Sequence, residues 1–157
     1  WSTQPTDIQT GVLYVEVDTT SGEENVYQMV RLSATGTVGM CVYYTGSAMG
    51  YVTVDATGIK PIGVLLVSPT VSGDWTFIQR YGRNTTVQIT NTVGGLTDIT
   101  AGLFGGGGSA LWNNSTYLTH FADNITNMSA QSASLFYVGR ALTASTGSTV
   151  LGHIDML

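Results

Sequence analysis

Apolar and polar residues alternate with period two through much of this chain, the pattern expected of strands that bury one face. Between residues 12 and 17, Leu13, Val15 and Val17 alternate with Val12, Tyr14 and Glu16, as a half-buried strand requires. Between residues 26 and 32, Val26, Gln28, Val30 and Leu32 alternate with Tyr27, Met29 and Arg31. The polar stretch 18–25 between them, rich in Thr, Ser and Gly, reads as a turn. Further strands are expected at 40–44, 51–55, 62–67, 75–81, 86–90, 111–112, 135–142 and 149–155. Short strands about ten residues apart predict an all-β fold, a compact β-sandwich or barrel. Helix-forming Glu, Lys and Arg are scarce and β-branched residues common, so at most one short helix is expected. Its place would be 118–128, where Leu118, Phe121, Ile125 and Met128 follow spacings of three and four; the alternative there is a long loop.

The chain also repeats itself. Pro61-Ile62-Gly63-Val64-Leu65-Leu66-Val67 and Tyr137-Val138-Gly139-Arg140-Ala141-Leu142-Thr143 each set a glycine inside an apolar run and lead through a small-residue loop to another. Upstream, Thr37-Val38-Gly39-Met40-Cys41-Val42 matches Thr100-Ala101-Gly102-Leu103-Phe104. Two related β units, about 35–90 and 98–157, therefore belong to one β domain over 11–157, preceded by an extended arm at 1–10. From Gly39 to Gly63 is 24 residues and from Gly102 to Gly139 is 37, so the second unit carries about 13 extra residues within 113–134. Insertions into β scaffolds usually form surface loops, where binding specificity tends to lie. Gly63 and Gly139 weaken a strand, so each marks a bulge, a bend or a close approach of another backbone.

Composition narrows the function. Only 10% of the 157 residues are charged, the formal net charge is −5, and Lys60 is the only lysine, which leaves little to neutralise phosphates. A nucleic-acid partner is not expected. No apolar run reaches the roughly 20 residues needed to span a bilayer, so no membrane partner is expected either. The opening residues lack the charged-then-apolar pattern of a secretion signal. Cys41 stands alone between Met40 and Val42 and reads as a small buried hydrophobe, unable to form an intrachain disulfide.

Catalytic patterns are missing from the sequence. Gly105-Gly106-Gly107-Gly108 is a flexible or tightly turning connection rather than a phosphate cradle, because no Gly-Lys-Ser/Thr follows. His120 and His153 have no Cys or Glu at metal-ligand spacing, no Gly-x-Ser-x-Gly elbow occurs, and the carboxylates are scattered apart from Glu23-Glu24. No enzymatic activity, metal or cofactor is expected. Trp112-Asn113-Asn114-Ser115-Thr116-Tyr117 combines aromatic rings with amides and hydroxyls, which suits either a sugar ring or a hairpin with its aromatics folded onto the core. Trp112, Asn113 and Tyr117 are the candidate outer-face or glycan contacts. Asn84, Asn113, Asn114, Asn124 and Asn127 match the N-glycosylation pattern, as chance allows in so Asn- and Thr-rich a chain.

Ile99-Thr100-Ala101-Gly102-Leu103, then Val138-Gly139-Arg140-Ala141-Leu142-Thr143, then Gly147-Ser148-Thr149-Val150 resemble the capsid decoration, or cement, proteins of tailed bacteriophages. Val38-Gly39-Met40 with Pro61-Ile62-Gly63-Val64-Leu65-Leu66 is a less clean copy, and the 113–134 insertion departs from the pattern. The resemblance implies a small β protein without cofactor that binds the major capsid protein lattice. Its place would be the outer surface of a virion, as a homo-oligomer with a trimer favoured. The capsid-binding element is expected in the leading segment, at Trp1, Thr3, Pro5 and Ile8. Two other classes fit the composition: a carbohydrate-binding or adhesive module of a fibre or spike, and a small shell-forming capsid subunit, although residues 1–10 lack the basic arm that would face a genome.

Overall fold

The computed structural model describes residues 1–46, 50–54, 61–68, 72–88, 98–101, 112–113, 136–144 and 149–157, and only the backbone at 98–101, 112, 113, 136, 137 and 150. These residues form an all-β fold of ten strands in one hydrogen-bonded sheet. In chain order they are β1 (Leu13–Val17), β2 (Glu24–Leu32), β3 (Cys41–Tyr44), β4 (Tyr51–Thr53), β5 (Gly63–Leu65), β6 (Trp75–Gln88), β7 (Asp98–Ala101), β8 (Trp112–Asn113), β9 (Phe136–Ala141) and β10 (Thr149–Asp155). The region 118–128, where a short helix was the one departure from strands expected, lies outside the described residues.

Five strands close on themselves. β2 pairs in parallel with β4; β4 pairs with β3, β3 with β5, β5 with β6 and β6 with β2, all antiparallel. This small barrel is filled by Val30, Leu32, Val42, Val52, Val54, Ile62, Leu65 and Ile78. A second cluster, of Cys41, Tyr43, Val64, Val87, Val138, Ala141, Ile154 and Met156, lies on the other side of β3 and β5. Adjacent residues Cys41 and Val42, and Val64 and Leu65, thus point into different cores. That is why β3 and β5 read as continuous apolar runs: both of their faces are covered, one by the barrel interior and one by β9 and β10. Cys41 is fully buried, and burial pushes its thiol far above the usual range.

Outside the ring, β1 pairs with β2, and β10, β9, β7 and β8 extend in that order from β6. The run β4-β3-β5-β6 and the run β8-β7-β9-β10 share one pairing order, second strand, first, third, fourth, and the two fourth strands pair antiparallel where the halves meet. Gly63 and Gly139 occupy the third strand of each half. A Cβ on Gly63 would stand 2.8 Å from the Gln79 carbonyl oxygen on β6, and one on Gly139 would overlap the His153 carbonyl on β10. Both glycines therefore let the following strand's backbone approach closely. The pairing partner of Gly63 is Val42 and that of Gly139 is Ile99, separations of 21 and 40 residues. Between paired positions the second unit is thus longer by 19 residues, against the 13 counted from glycine to glycine.

Two local expectations change. The segment 75–81 and the described part of 86–90, up to Gln88, are joined in one 14-residue strand, β6, that pairs with β2 and β5 early and with β10 later. Gly82, at φ 103°, and a register shift opposite Val26/Tyr27 let the strand turn from one set of partners to the other. β1 also departs from the half-buried reading, because Leu13, Val15 and Val17 face solvent. Its inner-facing residue is Tyr14, whose ring stacks edge-on against Phe77 with centroids 5.8 Å apart. The turn after β1 is as expected: Asp18 Oδ1 accepts the backbone N–H of Thr20 and of Ser21, which holds its carboxyl below the usual range.

Candidate functional site

The leading segment lies on its own barrel. Trp1 N donates to the Trp75 carbonyl at 2.7 Å and Trp75 N to the Trp1 carbonyl at 2.6 Å, so Trp1 adds one antiparallel rung at the start of β6. The chain then turns at Pro5–Ile8, where Ile8 N donates to the Pro5 carbonyl and Gln4 Nε2 to the Ile8 carbonyl. Gly11 N donates to the Met29 carbonyl before β1 begins. Residues 1–10 are folded back against the domain in place of the extended arm expected. Of the four residues assigned to binding there, Trp1 and Ile8 line a common surface, Pro5 supports the turn, and Thr3 is exposed beside it.

That surface is an aromatic groove. Ile8, Tyr14, Tyr27, Leu66 and Phe77 line a cavity of about 430 Å³. Trp1, Leu66, Val67, Trp75, Thr76 and Phe77 line one of about 380 Å³. Leu66 and Phe77 belong to both, so the two are continuous across Phe77, over which the Trp1 ring stands edge-on at 6.1 Å. Trp1 remains 60% exposed and Val67 56%, which leaves apolar surface in water at the mouth of the groove. Polar groups are confined to the margin. Tyr27 donates its hydroxyl to Glu16 Oε2 at 3.0 Å, and burial together with that carboxylate pushes the phenol up to about 12. Arg31 is held near the rings of Tyr51 and Trp75, 5.3 and 5.7 Å from their centroids, with its Nε donating to the Gly73 carbonyl. These contacts, with Nη1 donating to the Tyr51 hydroxyl, hold the guanidinium against the Trp75 ring.

A second, polar cleft of about 340 Å³ is lined by Gly22, Glu23, Glu24, Tyr81, Arg83 and His153. His153 stacks edge-on against Tyr81 at 4.9 Å, and Arg83 stands 4.0 Å from Glu23. The Arg83–Glu23 pair is half exposed and contributes little to stability. Among the described residues no group of three or more His, Cys, Asp and Glu is placed to hold a metal ion.

Trp112 and Asn113 form β8, the last strand of the sheet, but only their backbone is described; Tyr117 and His120 lie outside the described residues. Asn84, one of the five candidate glycosylation positions, is buried with both ends of its amide bonded, so it is not an acceptor in the folded chain. Phe77, Leu66 and Tyr14 are groove residues that sequence reasoning took as ordinary strand positions. The usable signal was the concentration of Trp1, Pro5 and Ile8 in a segment without strand alternation. No protein-family model matches the chain, and no curated protein or solved structure matches it either.

Proposed function

We propose that this chain is a structural protein that decorates the outer surface of a capsid of the tailed-phage type, binding the major capsid protein lattice through the aromatic groove. The observation that carries this reading is the groove itself: the leading segment and the barrel together hold Trp1, Ile8, Tyr14, Leu66 and Phe77 on an apolar surface open to solvent. Exposed apolar surface of this kind marks attachment sites, and buried aromatic anchors dominate the energetics of most protein interfaces. A protein that binds only the expanded lattice stabilises that state by mass action, and many copies bridging neighbouring subunits multiply a modest contact energy. No reaction is required.

Purified protein is expected to saturate expanded capsids stripped of decoration at a fixed ratio and to raise their melting temperature. Leu66→Asp, which puts a carboxylate on the groove wall, should weaken that binding by at least about tenfold, as loss of a central apolar contact does. Binding unchanged by Leu66→Asp, or no binding to any expanded capsid, rejects the proposal.

A carbohydrate-binding module is the second reading, favoured by the polar cleft, where the Tyr81 ring lies among groups able to bond hydroxyls. Tyr81→Ala should then abolish retention on a glycan array, as should the pair Trp112→Ala and Tyr117→Ala if the sugar is bound by those two residues instead. Retention unaffected by either change counts against it.

A further inference from the structure

We infer that two copies of this chain associate by antiparallel pairing of β1 with β1 about a two-fold axis at Val15. Among the described residues β1 stands at the end of the strand order and pairs on one side only, with β2. The bond from Asp18 N to the Glu23 carbonyl continues that ladder and sets its phase. In an antiparallel ladder alternate residues turn N–H and C=O to the same side. Residues 14, 16 and 18 therefore bond towards β2, while Leu13, Val15 and Val17 present their backbone groups at the free edge. These residues are 45%, 62% and 51% exposed. Monomeric proteins ordinarily blunt such an edge with lysine, proline or a bulge. Leu13-Tyr14-Val15-Glu16-Val17 contains neither residue, and its register with β2 runs without a shift.

β1 is complementary to its own reverse. A two-fold axis at Val15 sets Leu13 opposite the partner's Val17 and Val15 opposite the partner's Val15, joining two exposed apolar faces into one. On the other face Tyr14 lies opposite the partner's Glu16, a phenol against a carboxylate, and no like charges are opposed. Directly opposed like charges would destabilise the pair, whereas apolar and β-branched pairs favour it. The phase allows the axis to move only by whole residues: at Glu16 it would oppose two carboxylates, and at Tyr14 it would set Val17 opposite the partner's Gly11. Of these registers only the one at Val15 sets Leu13, Val15 and Val17 entirely against one another. The result is a two-fold pair in place of the trimer that the resemblance to decoration proteins implies. It concerns the chain itself and holds whether or not a shell is the partner.

Five residues a side bury less than the roughly 1,200 Å² of a stable interface. The full chain should accordingly shift from one copy to two with rising concentration in sedimentation equilibrium. Val15→Cys should cross-link to itself under oxidised glutathione, since opposed hydrogen-bonded residues lie about 5.5 Å apart between Cα atoms, within disulfide range. Leu13→Cys mixed with Val17→Cys should also cross-link. Leu13→Cys alone should not, because its own counterpart lies four residues, about 14 Å, along the strand. Val15→Lys should abolish the association and leave the melting temperature unchanged at dilutions where the parent is a single copy. A chain that is monomeric at every concentration, a Leu13→Cys variant that links to itself as readily as Val15→Cys, or an assembly indifferent to Val15→Lys overturns the inference.

Discussion

Replacing Gly139 by alanine is expected to lower the midpoint of thermal unfolding by roughly 5–12 °C, from a cost of about 2–4 kcal/mol in a domain of this size. Two effects combine. At φ 150° the backbone lies where side chains rarely go, and the new Cβ would overlap the His153 carbonyl and stand 2.9 Å from the Ile154 Cα. Neither contact is with the end of a flexible side chain, so relief requires β9 to move away from β10, its pairing partner through Gly139↔Ile154. Val138 and Ala141 would then be drawn out of the core they share with Cys41 and Val64. Gly63→Ala should cost less, because its φ is ordinary and the Ile78 side chain, one of its two nearest neighbours, can turn aside. Gly22→Ala is the control: its φ of 73° carries conformational strain, but nothing lies within 4 Å. The order Gly139, then Gly63, then Gly22 in loss of melting temperature is the expected result. A Gly139→Ala variant that melts within 1 °C or so of the parent would show that close approach is not what this glycine provides.

The same two glycines show what period and composition can reveal. Strand positions follow from alternation, so the last predicted strand, 149–155, coincides with β10 and 135–142 contains the whole of β9. Alternation gives the period of a strand but not which face is covered. Leu13, Val15 and Val17 have the pattern of a buried face and are exposed, because what covers a face is set by distant residues. Barrel closure is equally non-local: it depends on Arg31↔Tyr51 in parallel and on Gln28↔Ile78, pairings 20 and 50 residues apart. The joining of 75–81 and 86–90 was hidden by Gly82-Arg83-Asn84, which reads as a turn and is in fact a bent strand. Asp98–Ala101 carries little strand signal, because Ile99 is the only large apolar residue in Asp-Ile-Thr-Ala. The groove was half legible: Trp1 and Ile8 stood out in an irregular segment, while Phe77 and Leu66 looked like core until the leading segment was seen to fold over them.

The bend in β6 is held by a network of three amides, Gln79 and Asn84 buried and Asn25 partly so, and Gln79→Glu is expected to break it in a pH-dependent way. Arg83 N donates to Asn25 Oδ1 and Thr86 N to Asn84 Oδ1, so each of those oxygens is an acceptor and the Asn84 Nδ2 must point the other way. That nitrogen donates to Gln79 Oε1 at 2.9 Å. Gln79 Nε2 in turn faces only acceptors: Asn25 Oδ1 at 3.0 Å and the carbonyls of Tyr81 and Arg83 at 3.1 and 3.0 Å. With Gln79 and Asn84 buried, water cannot substitute for a missing donor. An ionised glutamate would bring an oxygen against three oxygens, and the cost is about 2–4 kcal/mol at neutral pH. A protonated glutamate restores one donor. Its folded-state pKa must therefore rise above the unfolded value of about 4.3. A group with a raised folded pKa leaves stability intact below the unfolded pKa and loses it as pH climbs towards the folded one. Gln79→Glu should thus unfold at nearly the parent's urea midpoint at pH 4 and well below it at pH 7, whereas Gln79→Ala, which removes the donor at every pH, should lose stability about equally at both. Equal losses for Gln79→Glu at pH 4 and pH 7 would mean that the amide's donor, and the bend it holds between barrel and second half, is not what position 79 supplies.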